Sequence, residues 1–169
     1  MNVAFYTHLE KEIAMDQNAY DFIKELEAEY GQPIDWKTYS MWFGRSDGTV
    51  RDYGVLLFRI GDIMYYEDFE KQRSILGFQL PKKSHAPAFV KLKGNFSCRE
   101  VKDICKVVKA SAATWLRTPS APPLRPASKI IALLRQTVTM ITMDDGTMMF
   151  FELLDEKAFK ENIAQYKEA

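Results

Sequence analysis

His8, Glu12 and Asp16 stand four residues apart. On a helix that interval lines side chains along one face, as two or three ligands of a single metal ion require. The same interval is common on solvated helices, so no metal site is expected. His85 lies between Lys83 and Pro87 with no base or nucleophile beside it, and a turn already accounts for the adjacent carboxylates Asp144 and Asp145. The chain contains no G-x-x-x-x-G-K-S/T loop, no G-x-G-x-x-G, no G-x-S-x-G elbow and no Cys-x-x-Cys, which removes the common phosphate, dinucleotide, hydrolase and zinc signatures. The expectation is a non-enzyme with no catalytic residue and no cofactor.

Charge is the feature with chemical content. The 23 basic and 23 acidic side chains cancel overall, which taken alone argues against a polyanion-binding protein. Resolved along the chain, residues 1–70 carry 6 basic and 14 acidic groups, residues 71–135 carry 14 and 2, and residues 136–169 carry 3 and 7. Lys82, Lys83, Lys91, Lys93, Arg99, Lys102, Lys106 and Lys109 are the candidate anion-binding residues of that middle segment, which continues through Arg117, Arg125, Lys129 and Arg135. Projecting to one side, they would attract lipid head groups, nucleic acid or an acidic partner. The competing account is internal neutralisation by the acidic N-terminal helix through Glu10, Glu12, Asp21, Glu25 and Glu29, within one molecule or in a dimer.

A length of 169 residues suits one domain that buries its own core. With 47% hydrophobic and 27% charged residues the chain is neither disordered nor low-complexity. The first residues show no secretory pattern, and apolar runs such as Val55 to Phe58 and Ile130 to Leu134 are far below the ~20 residues that span a bilayer. Cys98 and Cys105 would lie about 10 Å apart along a helix, too far to bridge, and two free thiols fit a reducing cytoplasm.

Three patterns organise the chain. Residues 5–31 read as helical, with capping-box spacing at Thr7 to Glu10, an apolar stripe through Leu9, Ile13, Tyr20, Ile23, Leu26 and Tyr30, and Gly31 and Pro33 as stops. A strand-rich part follows. Ser46-Asp47-Gly48 and Gly61-Asp62 mark two hairpin turns, and Phe78 to Leu80 and Ala88 to Lys93 are further short strands. Ser97 to Glu100 is a second capping box, leading either into a long helix to Trp115 or into one turn and a strand through Lys106 to Ala110. Pro122, Pro123 and Pro126 impose a loop. Lys129 to Arg135, Val138 to Met143 and Thr147 to Leu153 read as three strands, and a helix closes the chain with Phe159, Ile163 and Tyr166 on one face and a Leu154/Phe159 staple around Asp155.

Met149, Phe151 and Leu153 alternate with Met148 and Phe150, so the last hairpin is apolar on both faces. A half-solvated sheet does not look like this. Either the sheet closes into a barrel with one face covered by helices, the N-terminal one as candidate, or a partner chain buries the exposed face, which makes Met148 and Phe150 a candidate interface of a homodimer. Four of the eight methionines fall between Met140 and Met149, and they and the tryptophans are read as core packing.

The run from Lys129-Ile130-Ile131-Ala132-Leu133-Leu134 through Val138 to Gly146 and on to Leu154-Asp155-Glu156-Lys157-Ala158-Phe159 resembles the C-terminal half of pleckstrin-homology-like domains, bacterial members included. The resemblance spans about residues 50 to 169. It implies a mainly β, α+β fold: a bent antiparallel barrel of seven strands plugged by the last helix, used as a binding module for phosphoinositides, peptides or proteins. On this reading residues 1–48 are a helical extension with the first strand, and 49–169 the barrel. The rival architecture is an open antiparallel sheet with helices on one side. The functional expectation is a cytoplasmic, non-catalytic binding or protein-interaction module whose partner is a protein or a second copy, with an anionic lipid or nucleic acid as the alternative.

Overall fold

Residues 20–68, 74–75, 78–79, 91–118 and 121–167 are described by the computed structural model. The Thr7 to Glu10 capping box, the His8, Glu12 and Asp16 triplet, Lys82, Lys83 and His85 lie outside them. The chain divides into two units, Met1–Asp35 and Trp36–Ala169. In the first, helix α1 is seen over residues 20–30 and ends at Gly31, whose φ of +66° favours a residue without a Cβ. Glu27 Oε1 accepts a hydrogen bond from Ile34 N at 3.0 Å and ties down the segment that leaves the helix.

The second unit is built on β1 (Trp36–Arg45), β2 (Val50–Ile60), β3 (Ile63–Asp68), β6 (Lys93–Ser97), β7 (Val101–Val108), β8 (Thr137–Met143) and β9 (Met148–Leu153), with a separate two-residue pair β4 (Ser74–Ile75) and β5 (Phe78–Gln79). The seven form one sheet in the order β6-β3-β2-β1-β9-β8-β7, antiparallel throughout. β1 therefore sits at the centre of the sheet, paired with β2 and β9, and not in a preceding extension. The fold is α+β.

Three turns set the register, each through a glycine at positive φ: Gly48 at +90°, Gly61 at +58° and Gly146 at +85°. In the two Asp-Gly turns the aspartate also accepts from the backbone two residues on, Asp47 Oδ1 from Thr49 N at 3.0 Å and Asp145 Oδ1 from Thr147 N at 2.7 Å. Those bonds favour the ionised carboxylate and hold both groups below the usual carboxylate range.

The sheet does not close: β6 and β7 are its two edges. It must nonetheless curl. Seven strands laid flat would put the edges about 29 Å apart, whereas Ser97 and Val101 are separated by a 3-10 turn, Cys98–Glu100, that spans at most about 14 Å. The turn is pinned at both ends, Cys98 N donating to Asp62 O at 2.8 Å and Asp144 N donating to Glu100 O at 2.9 Å. The Ser97 capping signal thus belongs to one short turn, its hydroxyl accepting from Arg99 N at 3.2 Å, and the chain continues as a strand. The β-branched Val101, Ile104, Val107 and Val108 suit that strand. A helix, α2 (Lys109–Arg117), starts only after it.

Helix α4 (Glu156–Lys167) packs into the curl. Phe159 and Ile163 are fully buried against Trp42, Val55, Leu57, Tyr66, Ile141, Met149 and Phe151, with Tyr166 packed at the edge as the heptad spacing predicts. Asp155 caps the helix, Oδ1 accepting from Ala158 N at 2.9 Å, but Leu154 is 79% exposed and forms no staple. On the other face Phe43, Val107, Val138, Met140 and Phe150 form a second core beneath Ala112 and Leu116 of α2. Helices therefore lie on both faces. Each inward residue of β8 and β9 belongs to one core and its neighbour to the other, which is why the hairpin is apolar throughout.

Two expectations are corrected here. Phe150 is fully buried under α2, where Trp115 tilts against it at 6.1 Å, and Met148 is half-buried at the rim. The chain's own helix occupies the surface expected to receive a partner. Lys129 to Arg135 is not a strand but a short helix, α3 (Lys129–Leu134), because Ser128 caps it, its hydroxyl accepting from Ile131 N at 3.3 Å. Ala132 N to Ser128 O and Arg135 N to Ile131 O close its turns. Among the described residues no helix is long and apolar enough to cross a membrane.

Candidate functional site

Of the sequence-derived cations among the described residues, five are held in ion pairs. Lys91 and Lys93 converge on the fully buried Glu67 of β3 at 2.5 and 3.3 Å. Arg99 pairs with Asp62 in the β2–β3 turn at 2.9 Å, Lys106 with Glu156 of α4 at 2.7 Å, and Lys109 with Glu152 of β9. Lys102 is exposed, and its carbonyl accepts from Lys167 Nζ at 3.2 Å. In these pairs among the described residues, the acids come from β3, β9, α4 and a turn of the same sheet. Two of the pairs share one buried partner, Glu67, which makes that carboxylate a fixed part of the fold and not a free ligand.

The unneutralised charge lies further on, in the connection from β7 to β8. The strands pair up to Val108 with Thr137, and Lys109 N donates to Gln136 O at 2.9 Å. Residues 109–136 therefore leave and re-enter the sheet at one point. The excursion holds α2, the segment with Pro122, Pro123 and Pro126, and α3. Ala127 N donates to Lys106 O at 2.7 Å, so the proline segment is fastened to the edge strand β7. Within 104–143 no Asp or Glu occurs. Arg117, Arg125, Lys129 and Arg135 are all exposed and make no ion pair among the described residues.

At the root of the excursion is a cleft of about 490 Å3. Phe43, Val50, Val108 and Ala113 give it apolar walls, and Arg117, Arg135 and the Glu152-paired Lys109 also line it. Lys109 Nζ also lies 5.1 Å from the centre of the Phe43 ring, which holds the ammonium over the apolar wall. Gly44 admits α2 to this position, since a Cβ there would lie 2.7 Å from Leu116 Cδ1. The arrangement is suited to an anion carrying an apolar body: guanidinium groups for the charge, aromatic and aliphatic walls for the rest.

Arg117 and Arg135 are 18 positions apart, and their joining depends on α2 folding back over β1 and β9. The legible signal was the acid-free stretch 104–143, which is distinct from the density of Lys and Arg. Trp42, read as packing, does pack: its ring stacks on Tyr66 at 4.8 Å in the inner core. Asp144 and Asp145 serve the β8–β9 turn. Among the described residues no group of three or more His, Cys, Asp or Glu could hold a metal ion. The buried Cys98 thiol is pushed up to about 11 by burial, and the half-buried Cys105 thiol likewise. Both shifts disfavour the thiolate at neutral pH.

Comparison of the chain with protein-family models, with curated proteins and with solved structures finds no match.

Proposed function

We propose that this protein is a non-catalytic binding module on a pleckstrin-homology-like frame, and that its cleft takes an amphiphilic anion. Support for the frame is the strand order: a four-stranded meander, a three-stranded meander beside it, and a C-terminal helix in the curl. The resemblance implies seven bent antiparallel strands plugged by the last helix; here the sheet is open at its edges and begins at Trp36. The observation that carries the ligand class is the pair Arg117 and Arg135, exposed, without acidic partners among the described residues, both lining an apolar cleft. Two free thiols favour a cytoplasmic setting for it.

Calorimetric titration with decyl phosphate below its aggregation concentration, against inorganic phosphate, tests the reading. Decyl phosphate binds and inorganic phosphate binds at least tenfold more weakly, because only the former fills the apolar walls. The double variant R117Q/R135Q loses decyl phosphate affinity by tenfold or more and flattens its salt dependence. Equal affinity in the variant overturns the assignment.

A further inference from the structure

Helix α3 turns its large apolar side chains away from the protein. Ile130 is 72% exposed, Leu133 85% and Leu134 76%, with Ile131 at 42%. At 100° per residue these four span an arc of about 160°, while the small Ala132 lies opposite. A surface helix normally shows the reverse, a polar face to solvent and an apolar stripe to the core. The helix is also held in place: Ser128 caps it, and the proline segment before it is fastened to β7 through Ala127 N. Arg125, Lys129 and Arg135 flank it, with no acid in 104–143.

We propose that α3 is an interfacial anchor that inserts into the head-group region of an anionic lipid bilayer. Ile130, Leu133 and Leu134 enter the acyl boundary and Arg125, Lys129 and Arg135 contact lipid phosphates. This deepens the anion-binding reading, which it rests on for the orientation of the cleft toward the same surface. Three observations select the bilayer as occupant. The apolar arc is broad and convex, a shape that fluid hydrocarbon accommodates without a matching groove. Its cationic border complements an anionic head-group layer and meets no acidic side chain of the excursion. A second copy docked through this face would set the three flanking cations of each molecule against those of the other, since such an interface is self-complementary. One short helix provides a weak and reversible anchor, comparable to a single acyl chain, which the cations reinforce.

The full chain is sedimented with vesicles of phosphatidylcholine alone and with vesicles containing 30% phosphatidylserine, alongside L133D/L134D. Both leucines are exposed, so the variant keeps its thermal midpoint. The wild type sediments with the anionic vesicles at least tenfold more than with neutral ones, and the variant loses that binding at least tenfold while keeping its decyl phosphate affinity. A fluorophore placed at Leu133 through L133C shifts to the blue on anionic vesicles, whereas the same label at E161C does not. A wild type that stays in the supernatant with every vesicle, as it would if α3 served a protein groove, overturns the proposal. So does an L133D/L134D variant that sediments like the wild type. Failure of decyl phosphate to bind, with vesicle binding intact, removes the cleft reading and leaves the anchor.

Discussion

Gly44 of β1 and Leu116 of α2 are in contact through the absence of a side chain: a Cβ on Gly44 would stand 2.7 Å from Leu116 Cδ1 and 2.8 Å from the Thr49 carbonyl oxygen. The strand is irregular here, its register shifting between Trp42 and Gly44 toward both β2 and β9. The ordinary alternation of strand side chains sends Trp42 into the inner core and Phe43 into the outer one. The approach of α2, and with it the cleft, depends on this glycine.

Gly44→Ala is therefore expected to destabilise the fold by about 1 to 3 kcal/mol through overpacking. Leu116→Ala leaves a cavity and costs about 2 to 4 kcal/mol. The double variant loses less than the sum, because the alanine at 116 removes one of the two clashes. Urea unfolding of the four proteins measures all three quantities, and strict additivity would show that Leu116 is not what Gly44 accommodates.

Arg59 joins β2 to α4 from a nearly buried position. Its Nε donates to Asn162 Oδ1 at 3.2 Å and its Nη1 to Gly61 O at 2.6 Å and to the Tyr166 hydroxyl, while the guanidinium lies 4.9 Å from the Tyr166 ring centre. Replacing it with Met preserves much of the volume but leaves these acceptors without their charged donor, at a cost of about 2 to 3 kcal/mol. Asn162→Ala removes one partner and costs about 1 kcal/mol. Thermal unfolding compares them, and hydrogen exchange on α4 should accelerate in both.

Glu156 supplies a pH dependence. Partial burial opposes its ionisation, but hydrogen bonds from Lys106 and Lys160 outweigh that and hold its carboxyl below the ordinary value of 4.5. A depressed folded value means stability that is present above pH 4.5 and is lost as pH falls through the folded value. Glu156→Gln removes this increment, so the stability difference between variant and wild type shrinks as pH is lowered through that window. A difference that stays constant down to pH 3 would contradict the pairing.

The thiols act at the other end of the scale. Burial pushes Cys98 and Cys105 up to about 11 from an ordinary 9.0. Between those values the unfolded chain releases thiol protons that the folded chain keeps, so stability falls as pH rises through the window. A C98A/C105A variant loses less stability than the wild type between pH 8 and pH 10.5. With a thiol reagent at pH 8 the half-buried Cys105 reacts before the fully buried Cys98, whose modification follows the rate of opening.

The sequence by itself determined the local events. The Asp47-Gly48, Gly61-Asp62 and Asp145-Gly146 turns were legible because backbone at positive φ admits few residue types, and the Phe159, Ile163 and Tyr166 face because a helix repeats at a fixed angle. The two-sided apolar hairpin of β8 and β9 required a cover on each face, but nothing local said that α2 would provide the second one. Residues 129–134 show the limit of local reasoning: Ile-Ile-Ala-Leu-Leu reads as a buried strand, and the cap from Ser128 together with a position outside the sheet made it an exposed helix.

Charge divides in the same way. The excess of cations between residues 71 and 135 is a property of the chain, but which of them are neutralised is a property of the sheet. The pairing of β3 with β6 sets Glu67 opposite Lys93 and within reach of Lys91, and the fold lays Glu152 and Glu156 beside Lys109 and Lys106. Arg117 and Arg135 remain unpaired among the described residues, although Lys109 at the root of the same connection pairs with Glu152. Pairing is set by through-space distances of a few ångströms between residues tens of positions apart, and only the tertiary structure decides such distances.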